Sequence, residues 1–327
     1  MPAPRRSPST NSTVQFRRRL LAWYDRNKRE LPWRGSRDPY RVWLSEIMLQ
    51  QTRVAAVVEY FRRFLKKFPT INRLASAREA SVLAAWSGLG YYRRARMLHA
   101  AAKKIVREHG SQFPSTAEKL RALPGIGRYT SAAIASIAFD EPIAVVDGNV
   151  ERVLCRIEGK QQAQKDLWAQ AQARLSSKRP GDFNQAMMEL GAMVCLPKRP
   201  LCAICPVTAF CATRGEIEGL PAAPRQFKRE ITYVLAKRGN NVFLTQRPVK
   251  ATLMPGMWEL PEDAAPNGAT PWRTFKHSIT VTDYKVRVIR NNGSEGARGK
   301  WIARSQLKNT PLTGLARKIL RADGIIK

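Results

Sequence analysis

Leu123-Pro124-Gly125-Ile126-Gly127 separates two helical stretches, and Val145-Val146-Asp147-Gly148-Asn149-Val150 follows it downstream. Pro124 ends the first helix. Gly125 and Gly127 permit positive φ and the close approach of another backbone. The next helix is expected to begin at about Arg128, with free N–H groups at its start. Such an end binds phosphate without using a side chain. A plain tight turn would carry the same local pattern, so its surroundings must decide. Asp147 stands where a further helix opens and continues through Arg152 and Leu154. An Asp there is either an ordinary N-cap or a carboxylate with a chemical task.

Residues 14 to about 212 read as short helices joined by tight turns. Val14–Asn27 and Tyr91–Glu108 carry apolar residues at helical spacing, with Arg and Lys between them. Pro and Gly punctuate the region repeatedly, from Pro32 to Gly181. After the last cysteine the texture changes. Gly215–Lys228 reads as a linker. Glu230–Lys237, Asn241–Gln246 and Thr280–Ile289 read as strands, with Gly239-Asn240 as a hairpin signal between the first two. A last helix is expected over Leu312–Ala322. The fold class is therefore mainly α, followed by a small α+β domain. The division is 1–13 as a disordered basic tail, 14–213 as the helical domain, 214–229 as linker and 230–327 as the C-terminal domain.

The 327 residues carry 57 Lys and Arg against 25 Asp and Glu, a net charge of +32, and 44% of them are hydrophobic. That chain can bury a core, and its charge calls for a polyanionic partner. Nucleic acid comes first and an anionic membrane surface second. No stretch approaches the roughly 18 or more consecutive apolar residues of a membrane span. No apolar segment follows Arg5 and Arg6 to make a signal peptide, so a cytoplasmic protein is expected, nucleoid-associated in a bacterium.

Four of the five cysteines, Cys195, Cys202, Cys205 and Cys211, form the pattern C-x6-C-x2-C-x5-C. Cys-only ligation selects zinc or an iron–sulfur cluster. A structural zinc site usually shows two short hooks, and only Cys202/Cys205 is one here. Cys155 lies among Val153, Leu154 and Ile157 and reads as a core residue.

This cysteine spacing resembles that of the endonuclease III, or helix–hairpin–helix, superfamily of DNA glycosylases. The resemblance implies a 4Fe-4S cluster on the loop 195–211. It also implies that an L-P-G-x-G hairpin followed by V-D marks the catalytic carboxylate, here Asp147. Cleaving an N-glycosidic bond leaves positive charge on the sugar, which such a carboxylate stabilises. Bifunctional members carry lysine where this chain has Tyr129, so a monofunctional enzyme is implied.

Leu31-Pro32-Trp33-Arg34, the run Pro39 to Thr52, Gly88-Leu89-Gly90-Tyr91-Tyr92 and the run Phe183 to Gly191 resemble MutY-type adenine glycosylases. The likeness is strong over about 14–212 and weak beyond. It implies Glu46 as the general acid that protonates adenine N7, which requires a raised pKa that burial could supply. It implies Tyr129 and Asn149 beside Asp147, and Trp33, Arg34 and Glu189 lining the adenine pocket. Gln51 and Tyr91 would fill the gap left by a flipped base. Gly125 and Gly127 would hold backbone phosphate. The implied substrate is double-stranded DNA carrying adenine opposite 8-oxoguanine or guanine, bound by a monomer.

The C-terminal part resembles the family's Nudix-like domain at Gln246-Arg247-Pro248 and Met254 to Pro261, without a hydrolase box. Its lesion-recognition loop reads F-S-H in the family and Phe275-Lys276-His277 here. Lys276 is thus expected to touch phosphate or the oxidised base in place of serine. A bifunctional pyrimidine-lesion enzyme and a non-catalytic DNA binder are the rival readings, which Tyr129 and the pair Glu46/Asp147 oppose.

Overall fold

The computed structural model describes residues 10–217, 226–262, 270–279, 281–291 and 298–326. Its helices are α1 (Thr10–Asn27), α2 (Pro39–Leu49), α3 (Val54–Lys67), α4 (Ile71–Ala75), α5 (Glu79–Trp86), α6 (Tyr92–Glu108), α7 (Ala117–Leu120), α8 (Arg128–Phe139), α9 (Gly148–Glu158), α10 (Gln164–Arg174), α11 (Pro180–Met193) and α12 (Gly314–Ala322). The strands are β1 (Phe227–Arg238), β2 (Asn241–Gln246), β3 (Trp258–Glu259), β4 (Arg273–Ile279), β5 (Thr282–Asn291) and β6 (Lys300–Ala303). Among the described residues no helix is long and apolar enough to cross a membrane.

Contacts divide the chain into two compact units, Met1–Gln51 with Lys104–Leu220 and Thr52–Lys103 with Pro221–Lys327. This cut differs from the 14–213 and 230–327 division, because α3 to α5 and most of α6 group with the sheet. Hydrogen bonds explain the grouping. Ser87 Oγ and Tyr92 Oη both donate to the Leu312 carbonyl, and Arg96 Nη2 donates to that of Pro255.

In the first unit, α1, α9, α10 and α11 share a core of Phe16, Leu20, Leu154, Leu167, Phe183 and Leu190. Cys155 lies in that core, 3% exposed. Helix α1 begins at Thr10, inside the stretch read as tail, and the rest of that tail lies outside the described residues. Helix α8 opens at Arg128 and α9 at Gly148, as their turns require. Residues 218–225 of the expected linker lie outside the described residues, whereas Phe227 and Lys228 already belong to β1.

The second unit holds one sheet in the order β3-β2-β1-β5-β4, with β6 on β2. Gly239-Asn240 turns β1 into antiparallel β2, pairing Arg238 with Asn241. β1 and β5 run parallel, and β4 and β5 antiparallel. Helix α12 buries Leu315, Ala316, Ile319 and Leu320, spaced for one helical face, against the sheet. Residue 280, the first of the third expected strand, lies outside the described residues. Phe275-Lys276-His277 lies in strand β4 rather than in a loop. The strand alternates there, sending Phe275 into the core and Lys276 outward.

Candidate active site

Asp38 caps helix α2, its carboxylate accepting a hydrogen bond from Tyr40 N at 2.9 Å. The helix is buried from Val42 to Met48, so it carries Glu46 into the interior at 6% exposure. Burial disfavours the charged form and pushes the Glu46 carboxyl up to about 7. The Asp147 charge pushes the same way, while a hydrogen bond from Tyr129 and the charge of Arg34 oppose it. Tyr129 Oη donates to Glu46 Oε2 at 2.8 Å and lies 3.3 Å from Met188 Sδ. Burial and the Glu46 charge raise the phenol well above its ordinary value, so it remains a donor.

Asp147 is the N-cap of α9. Its Oδ1 accepts from Asn149 N at 3.0 Å and Val150 N at 2.8 Å, and its Oδ2 accepts from Asn149 Nδ2 at 2.9 Å. The capping reading of the sequence is therefore correct, and it does not exclude a chemical one. Capping aims the half-buried carboxylate from a rigid helix end where the helix dipole favours an anion. Asn149 is itself held. Its Oδ1 accepts from Arg152 Nη2 at 2.8 Å, and Arg152 also donates to the carbonyls of Gly191 at 2.7 Å and Cys195 at 2.8 Å. A Cβ on Gly191 would stand 2.6 Å from Asn149 Cβ, so only glycine lets α11 approach α9 this closely.

Glu189, on α11, is 1% exposed. Burial alone would raise its pKa. The guanidiniums of Arg29 and Arg34 outweigh that and hold it at about 2. Arg29 donates through N, Nε and Nη2, and Arg34 through Nη1 and Nη2, over 2.6–3.0 Å. Arg34 Nε is buried with no hydrogen-bond partner among the described residues, a donor left open beside this pair. Trp33 is 7% exposed.

Thus Glu46, Tyr129, Asp147, Asn149, Arg34 and Glu189 are joined by hydrogen bonds or by mutual electrostatic influence. Other expected residues stand apart. Gln51 and Tyr91 are exposed and left-handed, with φ of 54° and 47°. Gly125 takes φ of 74°, but Gly127 is extended at φ −90° and needs no glycine for its backbone. A Cβ on Gly127 would meet nothing within 4 Å, so the space before α8 is open. In the second unit Phe275 is core, Lys276 is exposed, and its carbonyl accepts from Lys318 Nζ at 2.8 Å. Burial and Lys318 lower the pKa of His277.

Arg29, Arg152 and Gly191 escape sequence reasoning. Asn149, Arg152 and Arg156 do recur at helical spacing, a polar stripe on a helix that is otherwise packed. Arg156, 2% exposed, donates to Cys195 Sγ at 3.3 Å and to the carbonyls of Leu196 and Pro197.

The four cysteines of the loop are free and partly buried. Burial and the neighbouring thiol groups of Cys195, Cys211 and Cys202 push Cys205 up to about 11. Among the described residues no three His, Cys, Asp or Glu side chains close on a single ion. N–H donors from Arg156 and Arg214 point at Cys195 Sγ and Cys211 Sγ, as thiolate ligands require. Four cysteine sulfurs are a donor set suited to zinc or to an iron–sulfur cluster.

Residues 44–177 match the family described as HhH-GPD superfamily base excision DNA repair protein. The chain is 35% identical over 241 residues to the adenine DNA glycosylase of Buchnera aphidicola subsp. Acyrthosiphon pisum, covering 70% of this chain and 69% of that one. The chain belongs to the adenine DNA glycosylase family, within the HhH-GPD superfamily. It is 51% identical over 229 residues to the adenine DNA glycosylase of Rattus norvegicus, covering 64% of this chain and 44% of that protein. The chain thus spans less than half the length of this mammalian relative. Among solved structures, a thermostable thymine-DNA glycosylase aligns with a TM-score of 0.59 at 27% identity, covering 64% of this chain and 99% of that one.

Proposed function

We propose that this chain is a monofunctional glycosylase that flips out and excises adenine mispaired with 8-oxoguanine or guanine in duplex DNA. The observation that carries the proposal is Glu46. It is a buried carboxyl with a pKa near 7, bonded to Tyr129 and electrostatically coupled to Asp147. A proton donor at neutral pH needs that pKa, and a departing adenine needs that proton.

The bond between adenine and its sugar breaks with its electron pair leaving on the base. Glu46 delivers a proton to the base as the bond breaks. Asp147, aimed by the α9 cap, stabilises the positive charge left on the sugar. Water adds at the sugar carbon and loses its proton to the Glu46 carboxylate, which restores the acid. Tyr129 offers a phenol where a Schiff-base enzyme would need an amine, so strand cleavage is not part of the reaction. Arg34, with its open Nε, and Trp33 and Glu189 hold the base. Gln51 and Tyr91, exposed in left-handed turns, enter the space it leaves. The turn ending at Gly127 seats a backbone phosphate on the α8 N-terminus.

Cys195, Cys202, Cys205 and Cys211 would hold a 4Fe-4S cluster. Bound there, it supplies a cross-link of four thiolates that stiffens the loop next to Arg152 and Arg156. Residues 230–327 are read as a Nudix-like domain, with Lys276 and His277 facing the base opposite adenine. The net charge of +32 supports a DNA partner whose affinity falls steeply with salt.

Single-turnover adenine release should be measured from duplexes with adenine opposite 8-oxoguanine, guanine, cytosine or thymine, with and without alkali. Fast release opposite 8-oxoguanine and guanine, with strand breaks only after alkali, is the expected result. Breaks without alkali would overturn the monofunctional reading. Binding without release from any duplex would overturn the glycosylase reading.

A further inference from the structure

The loop between α5 and α6 is strained. Gly88, Gly90 and Tyr91 take φ of 107°, 73° and 47°, and Tyr91 has no glycine's freedom there. Such a backbone persists only when its surroundings over-determine it. Local bonds account for part of this. Tyr60 Oη donates to the Ser87 carbonyl at 2.9 Å, and Trp86 Nε1 to that of Gly90 at 3.1 Å. A Cβ on Gly88 would lie 2.0 Å from Tyr60 Oη, which fixes glycine there.

The rest of the support comes from the far end of the chain. Gly88 N donates to Tyr92 Oη at 3.3 Å, and that hydroxyl donates to the Leu312 carbonyl at 3.2 Å. Arg317 Nε donates to Ser87 Oγ at 3.2 Å, and that hydroxyl donates to the same Leu312 carbonyl at 2.6 Å. Two relays thus converge on one buried acceptor and use both of its lone pairs. That acceptor is itself anchored. Trp258 N donates to Pro311 O at 2.8 Å and Thr313 N to Trp258 O at 2.9 Å, tying the segment to β3. Thr313 then caps α12, which carries Arg317.

We propose that Arg317 and the Leu312 carbonyl form a clamp that positions the Gly88–Tyr91 loop for insertion into DNA. The C-terminal region would then assist base flipping from behind the loop, apart from any contact it makes with the opposite base. This rests on the function proposed above for Tyr91. Arg317 is a positioning residue, acting through Ser87.

The test uses the full chain with Arg317→Met, which keeps the stem and removes the donor, Arg317→Lys, and Ser87→Ala as a smaller change. Amide hydrogen exchange of the free protein reads the loop without DNA. Arg317→Met should speed exchange at Leu89 by about tenfold, the loss of one charge-assisted hydrogen bond, and leave α9 and β1 unchanged. With saturating protein, 2-aminopurine in place of the mispaired adenine should show flipping reduced by a similar factor. Ser87→Ala should act in the same direction, and Arg317→Lys should restore part of the effect. Unchanged loop exchange, or exchange raised throughout the second unit, would overturn the clamp. If the wild-type protein releases no adenine, the glycosylase reading fails while the exchange result still decides whether the clamp exists.

Discussion

Glu46 and Glu189 are the same residue type in the same unit, 6% and 1% exposed, yet their pKa values stand at about 7 and about 2. Burial pushes both upward, so burial does not separate them. Their partners do. Among the described residues Glu46 receives one hydrogen bond, from a neutral phenol. Glu189 receives five, from the Arg29 backbone and two guanidiniums. A buried carboxyl with one neutral donor becomes a proton reservoir at neutral pH, and one inside a guanidinium fork becomes a fixed anion. The contrast gives each a separate task in the proposed reaction, delivering a proton and shaping a pocket.

The largest expected effect breaks the contrast at the reservoir. Glu46→Gln should lower single-turnover adenine release by about 10³-fold, within the range for a lost general acid, with duplex affinity unchanged. The wild-type rate should fall as pH rises through about 7, where Glu46 loses its proton, and the residual rate of the variant should lack that fall. A variant retaining wild-type rate at pH 6 would show that the proton comes from elsewhere.

Next is the fixed anion. Glu189→Gln leaves the Arg29 and Arg34 guanidiniums facing each other without a counter-charge. Breaking a buried pair this way costs about 3 kcal/mol, discounted somewhat because Arg29 is 36% exposed. Urea unfolding at pH 7 should show that loss. The wild-type contribution is fully present above the ordinary carboxyl value of 4.5 and disappears as pH falls toward 2. An unchanged urea midpoint would mean the pair contributes nothing net.

Glu46 has the opposite sign. Its folded pKa lies above 4.5, so the native state holds a proton that the unfolded chain releases. Its contribution is full below 4.5 and is lost as pH rises through about 7. Glu46→Gln should therefore stabilise the protein at pH 8 by about 2 kcal/mol, less than the roughly 3 kcal/mol that the pKa gap allows. A destabilised variant at pH 8 would contradict the assigned burial cost. A gain in stability with a loss of activity is the expected mark of a group kept for chemistry.

The individual positions of this contrast were legible to different degrees. Helix-capping and turn chemistry announced α8, α9 and Asp147, because those signals are local. The need for a raised Glu46 pKa came with the family resemblance, and the burial of α2 supplies its cause. The Arg29–Glu189 pair was not legible, since its members are far apart in sequence and neither carries a local signal. Arg152 showed only as a polar stripe whose partner, the Cys195 carbonyl, is set by tertiary packing. Strand β4 was read as a loop because a family likeness outweighed its own alternation, which the burial of Phe275 makes plain. The grouping of α3 to α5 with the sheet depends on hydroxyls meeting the Leu312 carbonyl, and no periodicity encodes that.

The smallest effect concerns Asp147, where the cap is observed and the chemical role is proposed. As a cap, the residue needs only an acceptor at the end of α9, and Asn serves there about as well as Asp. Asp147→Asn should therefore change the unfolding free energy by no more than about 0.5 kcal/mol, whereas Asp147→Ala should lose about 1 kcal/mol. As a stabiliser of the sugar cation, the residue needs its negative charge. Asn should then be as inactive as Ala although it is the more stable of the two. Urea unfolding and adenine release on the same two variants separate the roles. If Asn kept both stability and activity, Asp147 would be a helix cap alone, and the cation would have to be met by another group near Glu46.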